Sequence, residues 1–483
     1  MMNLQNEQEI SNERQEKNEQ AADCESTAKT YLRSILDNDD QPIINTSKDF
    51  LRCPKVPPML RNIERSKDYY DPKFISFGPY HHEKDELQAT QKIKTKVMQN
   101  FILEHGKEIE DLYNQVRLLN DYSRRCYVDG STDAYGDEAF ALMMLQDGCL
   151  ILFLIELRIY TFRKNNEWRT SRNEEISSMI KNHLGHSELV NLHRDLLLLE
   201  NQIPFQVLKV LMCNMYKENE GLTMIKSFLY RIHWGEFPKE VTRDENEMEP
   251  DHLLGLLKTL ISKCGDHVET VLEKADSAMD VICYLQSFSS VSDLKGIDFK
   301  PSNSISLHSA LLKEKPKSTS LRDVDFRSSF FSGELKLPPL FVGDQSQLYY
   351  TNLIAFEACA PIDCTVTSYI NFMNLLIANP KDVKALRSKR IIPTLHSDED
   401  VFTMFKEISA TATATNLLDD ITMYQGVREK IEEHCNNKIK IWIGEMRHKF
   451  FSQPWPVISL LVAVVVIILT FLQTFYTIKP RKA

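Results

Sequence analysis

Glycine is scarce, with 15 in 483 residues. Phosphate- and dinucleotide-binding sites rest on glycine-rich loops, and their spacings are missing. There is no G-x-x-x-x-G-K-[ST], no G-x-G-x-x-G, no G-x-S-x-G nucleophile elbow and no protein-kinase set. A HExxH zinc motif and a CxxC pair are absent as well. Excess positive charge is also lacking. Lys and Arg number 58 against 68 Asp and Glu, a formal net charge of −10. That balance argues against nucleic acid, whose phosphates demand a basic face, and against adhesion of the whole body to anionic lipid. The first twenty residues carry no apolar stretch, so no cleavable leader is expected. The ten cysteines are scattered, as in a reducing compartment, and Cys149 and Cys213 sit in apolar runs where a cysteine is ordinarily a small core residue.

What is present lies first at the far end. Residues 457–476 read VISLLVAVVVIILTFLQTFY, without charge, glycine or proline. At about 1.5 Å per residue a helix of this length spans about 30 Å, the thickness of a hydrocarbon core. Trp455 and Tyr476 flank it, and Lys479, Arg481 and Lys482 follow in a short basic tail, 477–483. The expectation is a single-pass C-terminal anchor in the bilayer. With no leader expected and the cysteines unpaired, the body is expected on the cytosolic side. Lys and Arg on both flanks leave the positive-inside bias weak.

The rest of the chain divides by texture. Residues 1–48 are rich in Gln, Glu and Asn and read as a disordered arm; it carries one sequon, Asn45-Thr46-Ser47. Residues 49–425 read as one helical globular body. Its opening, 53–82, holds five prolines and reads as an extended segment pinned to a core. Apolar residues at helical spacing over 86–127 predict two long amphipathic helices, with Gly106 at a join. Residues 137–159 are strongly apolar but interrupted by Asp147, Gly148 and Glu156, which favours a buried helix over a membrane span. Residues 194–213 predict a further helix kinked or restarted at Pro204. Helical patterns follow at 251–263 and 268–288. Alternation around Ser332-Gly333 in 321–342 predicts a small β-hairpin. Helices resume at 352–360, 365–378, 380–387 and 397–409, the last opened by a Ser397/Asp400 capping pair. A charged amphipathic helix over 426–456 leads to the span; Pro454 and Pro456 should break it there. The fold class is therefore mainly α (α+β), with a small β element and one C-terminal transmembrane helix.

Few residues invite chemistry. His81-His82 suggests a metal or base site, but adjacent side chains on an extended chain point to opposite faces, and a turn at Gly78-Pro79-Tyr80 with backbone-bonded histidines is the simpler reading. Glu200-Asn201-Gln202, inside an apolar helix, needs buried partners; a packing network outweighs a pocket with Glu200 as acid or base. Cys149 has no histidine selected for it by spacing and reads as core. No catalytic, cofactor or metal residue is assigned. The helix before the span offers Ile431, Ile439 and Trp442 for packing on its own domain or for self-association.

Several segments together resemble one plant family. They are Val56-Pro57 with Leu60-Arg61, FISFGPYHH (74–82), Arg125-Cys126-Tyr127, Asp147-Gly148-Cys149, and above all DLLLLENQIPF (195–205). NLIAFE (352–357), Ser368-Tyr369-Ile370, Lys381-Asp382-Val383 and the Pro454-Trp455 entry to the span complete the set. In this order they are similar to the domain of unknown function 247, a UPF0481-type membrane protein. Glu83 and Leu150 depart from the pattern. The resemblance implies a plant membrane protein with no established enzymatic activity; some members are linked to self-incompatibility in grasses. The expected function is a membrane-anchored, non-enzymatic interaction or recognition protein, possible self-association included. The competing reading is an enzyme of unrecognised type with a pocket around Glu200, His82 and Cys149.

Overall fold

The computed structural model describes residues 52–63, 67–163, 178, 193–234, 249–262, 294, 297–301, 320–329, 333–359, 363–415, 423–436 and 454–478. The arm 1–48, its sequon, the 268–288 pattern and residues 437–453 lie outside the described residues. The protein is mainly helical with one small mixed sheet. The chain forms two compact units: Met1–Lys263 with Phe341–Ile370 and Met404–Leu417, and Cys264–Leu340 with Asn371–Thr403 and Leu418–Ala483.

In the first unit, α1 (Gln88–Glu104), α2 (Ile109–Arg117), α3 (Asn120–Arg125), α5 (Phe205–Met215) and α6 (Glu220–Trp234) all pack on α4 (Asp137–Arg163). α4 is apolar on every side because it has a neighbour on every side. By length and composition Asp137–Ile159 could cross a bilayer, yet 89% of its most apolar window is buried, so it is the core helix the interrupting polar residues suggested. Gly148 lets α5 approach: a Cβ there would collide with Leu211.

Gly106 does mark the join between α1 and α2, in the left-handed region at φ +64°. The second helix read over 86–127 is two helices instead. The chain leaves α2 at Leu118 and re-enters at Asn120, burying Leu119 and Asn120 while Leu118 is left exposed. Helical spacing persists across such a bend, which is why periodicity missed it. Pro204 restarts the helix, as expected, with α5 beginning at Phe205; but 196–204 are not helical at all. α7 (Leu253–Ser262) and α8 (Ser346–Cys359) complete this unit's main helices.

In the second unit, β2 (Asp325–Ser328) and β3 (Gly333–Leu337) pair antiparallel, Phe326 opposite Leu335, as the alternation indicated. The hairpin is part of a larger sheet. β1 (Ile297–Pro301) pairs parallel with β3, giving the order β1-β3-β2. Strand β1 escaped notice because five residues ending in proline carry almost no period-2 signal. The helix Gln425–Asn436 lies on β2, with His434 Nδ1 2.8 Å from Ser328 Oγ and its ring against Phe326. Asn379 caps the helix Pro380–Ser388 in a capping box with Asp382. Ser397 and Asp400 begin the helix Asp398–Ala414, whose residues from Met404 on belong to the first unit and which continues through Ala410–Ala414 rather than ending at 409.

A last helix runs Pro454–Ile478. Its prolines stand in the first turn, where a missing N–H costs nothing. The described side chains, Val462–Phe475, are all exposed.

Candidate functional site

The polar residues singled out in the sequence meet around one strip of chain. The described residues of 53–82 form little regular structure, so their backbone N–H groups need partners from elsewhere. Four side chains supply them. Asp195 accepts from Phe74 N (2.7 Å), Ile75 N (2.9 Å) and Lys73 N, and is flanked by Arg194. Asn201 accepts from Phe77 N (2.7 Å) and donates to the Ile75 and Asp195 carbonyls. Asp147 of α4 accepts from Gly78 N (2.8 Å). Glu200 accepts from Val56 N (2.8 Å) through one oxygen and from Arg61 Nη2 (2.6 Å) through the other. Gln202 donates to the Leu196 and Leu198 carbonyls and accepts from Leu254 N at the start of α7.

Glu200-Asn201-Gln202 therefore does not lie inside a helix, contrary to the leucine-rich reading. It lies in a buried irregular turn whose side chains replace the helical hydrogen bonds. Asparagine and glutamine can serve both donors and acceptors of bare backbone, which apolar residues cannot.

Gly78 shows how tightly the strip is held. Its φ is +67°, and a Cβ would sit 2.8 Å from the Gln202 carbonyl and 2.9 Å from the Tyr127 hydroxyl. Gly78→Ala combines left-handed strain with a backbone clash, so a loss of about 2–4 kcal/mol is expected. A urea titration followed by pulse proteolysis measures it; a loss below about 0.5 kcal/mol would contradict the packing described.

The two histidines part company. His81 is buried, with Nε2 3.5 Å from Glu200 Oε2 and 4.0 Å from Asp71. His82 turns the other way, its Nδ1 3.3 Å from Gln91 Nε2 and its ring edge-on to Tyr135. The turn is present, with His82 N donating to the Pro79 carbonyl, but among the described residues neither ring bonds backbone. Cys149 is fully buried in α4, and burial pushes its thiol far above the ordinary range. Glu200, His82 and Cys149 thus do not share a pocket. Cys359 and Cys364 are not joined in a disulfide.

Burial pushes the Glu200 carboxyl up, but His81, the Arg61 guanidinium and the Val56 N–H outweigh it and hold the group below the usual range. A carboxylate so satisfied is a poor proton acceptor near neutral pH. Among the described residues no group of three His, Cys, Asp or Glu is placed to hold a metal ion.

One open cleft of about 740 Å³ borders this network. Pro54, Pro57 and Val128 form apolar wall; Lys55, Arg61 and Glu200 bring charge. Tyr80 closes one side, its hydroxyl donating to the Cys53 carbonyl (2.6 Å) and accepting from Val128 N (3.0 Å). The Lys55 ammonium lies 4.9 Å from the Tyr80 ring centre.

Sequence reasoning passed over Arg61, Asp195 and Lys94. Lys94 left a usable trace: it falls on the apolar face of α1 with Thr90, Val97 and Phe101, where an unpaired ammonium could not stay. Its ammonium meets Asp147 at 2.5 Å with both side chains fully buried.

Pinned strip, irregular Glu-Asn-Gln turn and core helix fall within one stretch that matches a known family model. This chain belongs to a family of plant proteins of unknown function, DUF247, whose model matches residues 53–469. It is similar to two UPF0481 proteins of Arabidopsis thaliana. The first is 28% identical, covering 84% of this chain and 82% of the relative. The second is 24% identical, covering 84% and 87%. No solved structure matches.

Proposed function

We propose that this protein is a membrane-tethered, non-enzymatic binding protein, anchored through residues 457–476. The observation that carries the tether is the contrast between two apolar helices. Asp137–Ile159 is covered by its own unit, whereas Val462–Phe475 presents Ile467 at 67% and Phe471 at 71% exposure. An apolar surface that long is unfavourable in water and favourable in lipid. At about 1.5 Å per residue the 25-residue helix reaches about 38 Å, enough to cross a hydrocarbon core. Thr470 and Thr474 fit this setting because each hydroxyl donates to the carbonyl four residues back, Val466 and Thr470.

The binding role is favoured over catalysis because the candidate acid, base and nucleophile are spent on structure. Glu200 is held by Arg61 and backbone, and Cys149 is sealed in the core. In this reading the body faces the cytosol and recognises a protein partner, a second copy of the chain included.

The tether is tested by alkaline carbonate extraction of membranes from expressing cells. The full chain should stay in the pellet, and a chain carrying Val464→Arg and Ile468→Arg should be released. Release of the unaltered chain would end the proposal. Protease added to sealed microsomes should digest the body; full protection would reverse the orientation.

A further inference from the structure

The geometry points to the cleft beside Glu200 as a binding site for a small amphipathic anion, an apolar or aromatic body bearing one carboxylate or phosphate. The inference stands apart from the tether, since every residue it uses lies in the first unit. Its size, about 740 Å³, falls in the range of roughly 300–1,000 Å³ typical of small-molecule sites.

The charge inventory selects the ligand's sign. Glu200 is the cleft's anion, and Arg61 and Val56 N already satisfy it. Arg61 remains 30% exposed, and its second arm makes only long contacts of 3.3 and 3.5 Å to Asp71. Lys55 is exposed, and among the described residues no carboxylate pairs with it. One negative charge is thus matched inside the cleft and one positive charge is left over.

Both cations are already ordered. Glu200 fixes Arg61 from behind, with its guanidinium 5.9 Å from the Tyr70 ring centre, and Lys55 rests over Tyr80. A ligand oxyanion would find its donors in place and lose little side-chain entropy in meeting them. Pro54, Pro57 and Val128 would cover the ligand's apolar part. Glu200, on this account, is a positioning residue for Arg61.

The probe is 2-naphthoate, with neutral 2-naphthamide as its control. Binding to the full chain, with zwitterionic nanodiscs present in every sample whether or not the chain inserts into them, is read by saturation-transfer NMR. Naphthoate should bind at least tenfold tighter than naphthamide. Lys55→Glu puts a like charge beside the oxyanion and should weaken naphthoate about tenfold while leaving naphthamide unchanged. Val128→Trp fills the cleft and should remove both signals above the lipid background. Displacement by dioctanoyl phosphatidate would make the natural source a lipid headgroup; failure to displace would make it a soluble acid. Equal binding of the two probes, no effect of Lys55→Glu, or survival of binding in Val128→Trp would each overturn the inference. None of these outcomes depends on whether the chain pellets with membranes.

Discussion

Lys94→Met is expected to destabilise the first unit by about 3–5 kcal/mol, one of the largest single-residue effects in the chain. Lys94 and Asp147 are both fully buried, with Nζ and Oδ1 2.5 Å apart. The ammonium also donates to the Ser76 carbonyl, and Asp147 holds Gly78 N. Burial pulls the Lys94 ammonium below its ordinary value, and Asp147 opposes that shift. Removing the lysine leaves an anion in the core with one hydrogen bond. Adding Asp147→Asn to Lys94→Met removes that stranded charge and keeps an acceptor for Gly78, so it should recover about half of the loss. Urea titration with pulse proteolysis reads both. A single Lys94→Met costing under about 1 kcal/mol would contradict the buried pair.

Acid should unfold the first unit early, and two neutral histidines are the reason. Burial lowers His233 and His252 from 6.5 to about 3. His252 Nδ1 accepts from Gly255 N (3.0 Å) and so caps the first turn of α7, a bond that protonation abolishes. His233 Nδ1 lies 3.2 Å from the Tyr350 hydroxyl. In the unfolded chain both rings take a proton near pH 6.5, and in the folded chain only near pH 3. Their stabilisation is therefore fully present above about pH 6.5 and is lost progressively as pH falls from there towards 3. Each group contributes a slope that grows through pH 6.5 and approaches about 1.4 kcal/mol per pH unit below about pH 5.5, about 2.7 for the pair. Stability measured between pH 7 and 5 should show this fall. His252→Asn keeps a capping oxygen but cannot titrate, and should flatten the slope by about half. An unchanged slope would show that His252 is not held neutral by the fold.

Much of this architecture could be read from residue order. The core helix followed from a long apolar run whose Asp147 and Glu156 are too polar for lipid. The β2–β3 hairpin followed from alternation about Ser332-Gly333, and the restart at Phe205 from Pro204. The candidate site was legible only as a need. Glu200, Asn201 and Gln202 announced that partners must exist, without saying which. Those partners, Val56, Phe77 and Leu254, lie more than fifty residues away. Local patterns carry no record of pairings at that range. The same limit hid the break between α2 and α3, because a bend preserves the apolar spacing of both halves.

By itself the sequence determined the helical class, the family, the buried character of 137–159 and the apolar length of 457–476. These depend on composition and short periods, which any local stretch expresses. Tertiary structure alone decided which neighbours His81 and His82 meet, Glu200 for one and Gln91 for the other, and that Glu200 serves Arg61 and a backbone strip. Those outcomes depend on which distant segments meet. A buried charge or bare N–H is tolerated only where folding brings its counterpart within hydrogen-bond reach.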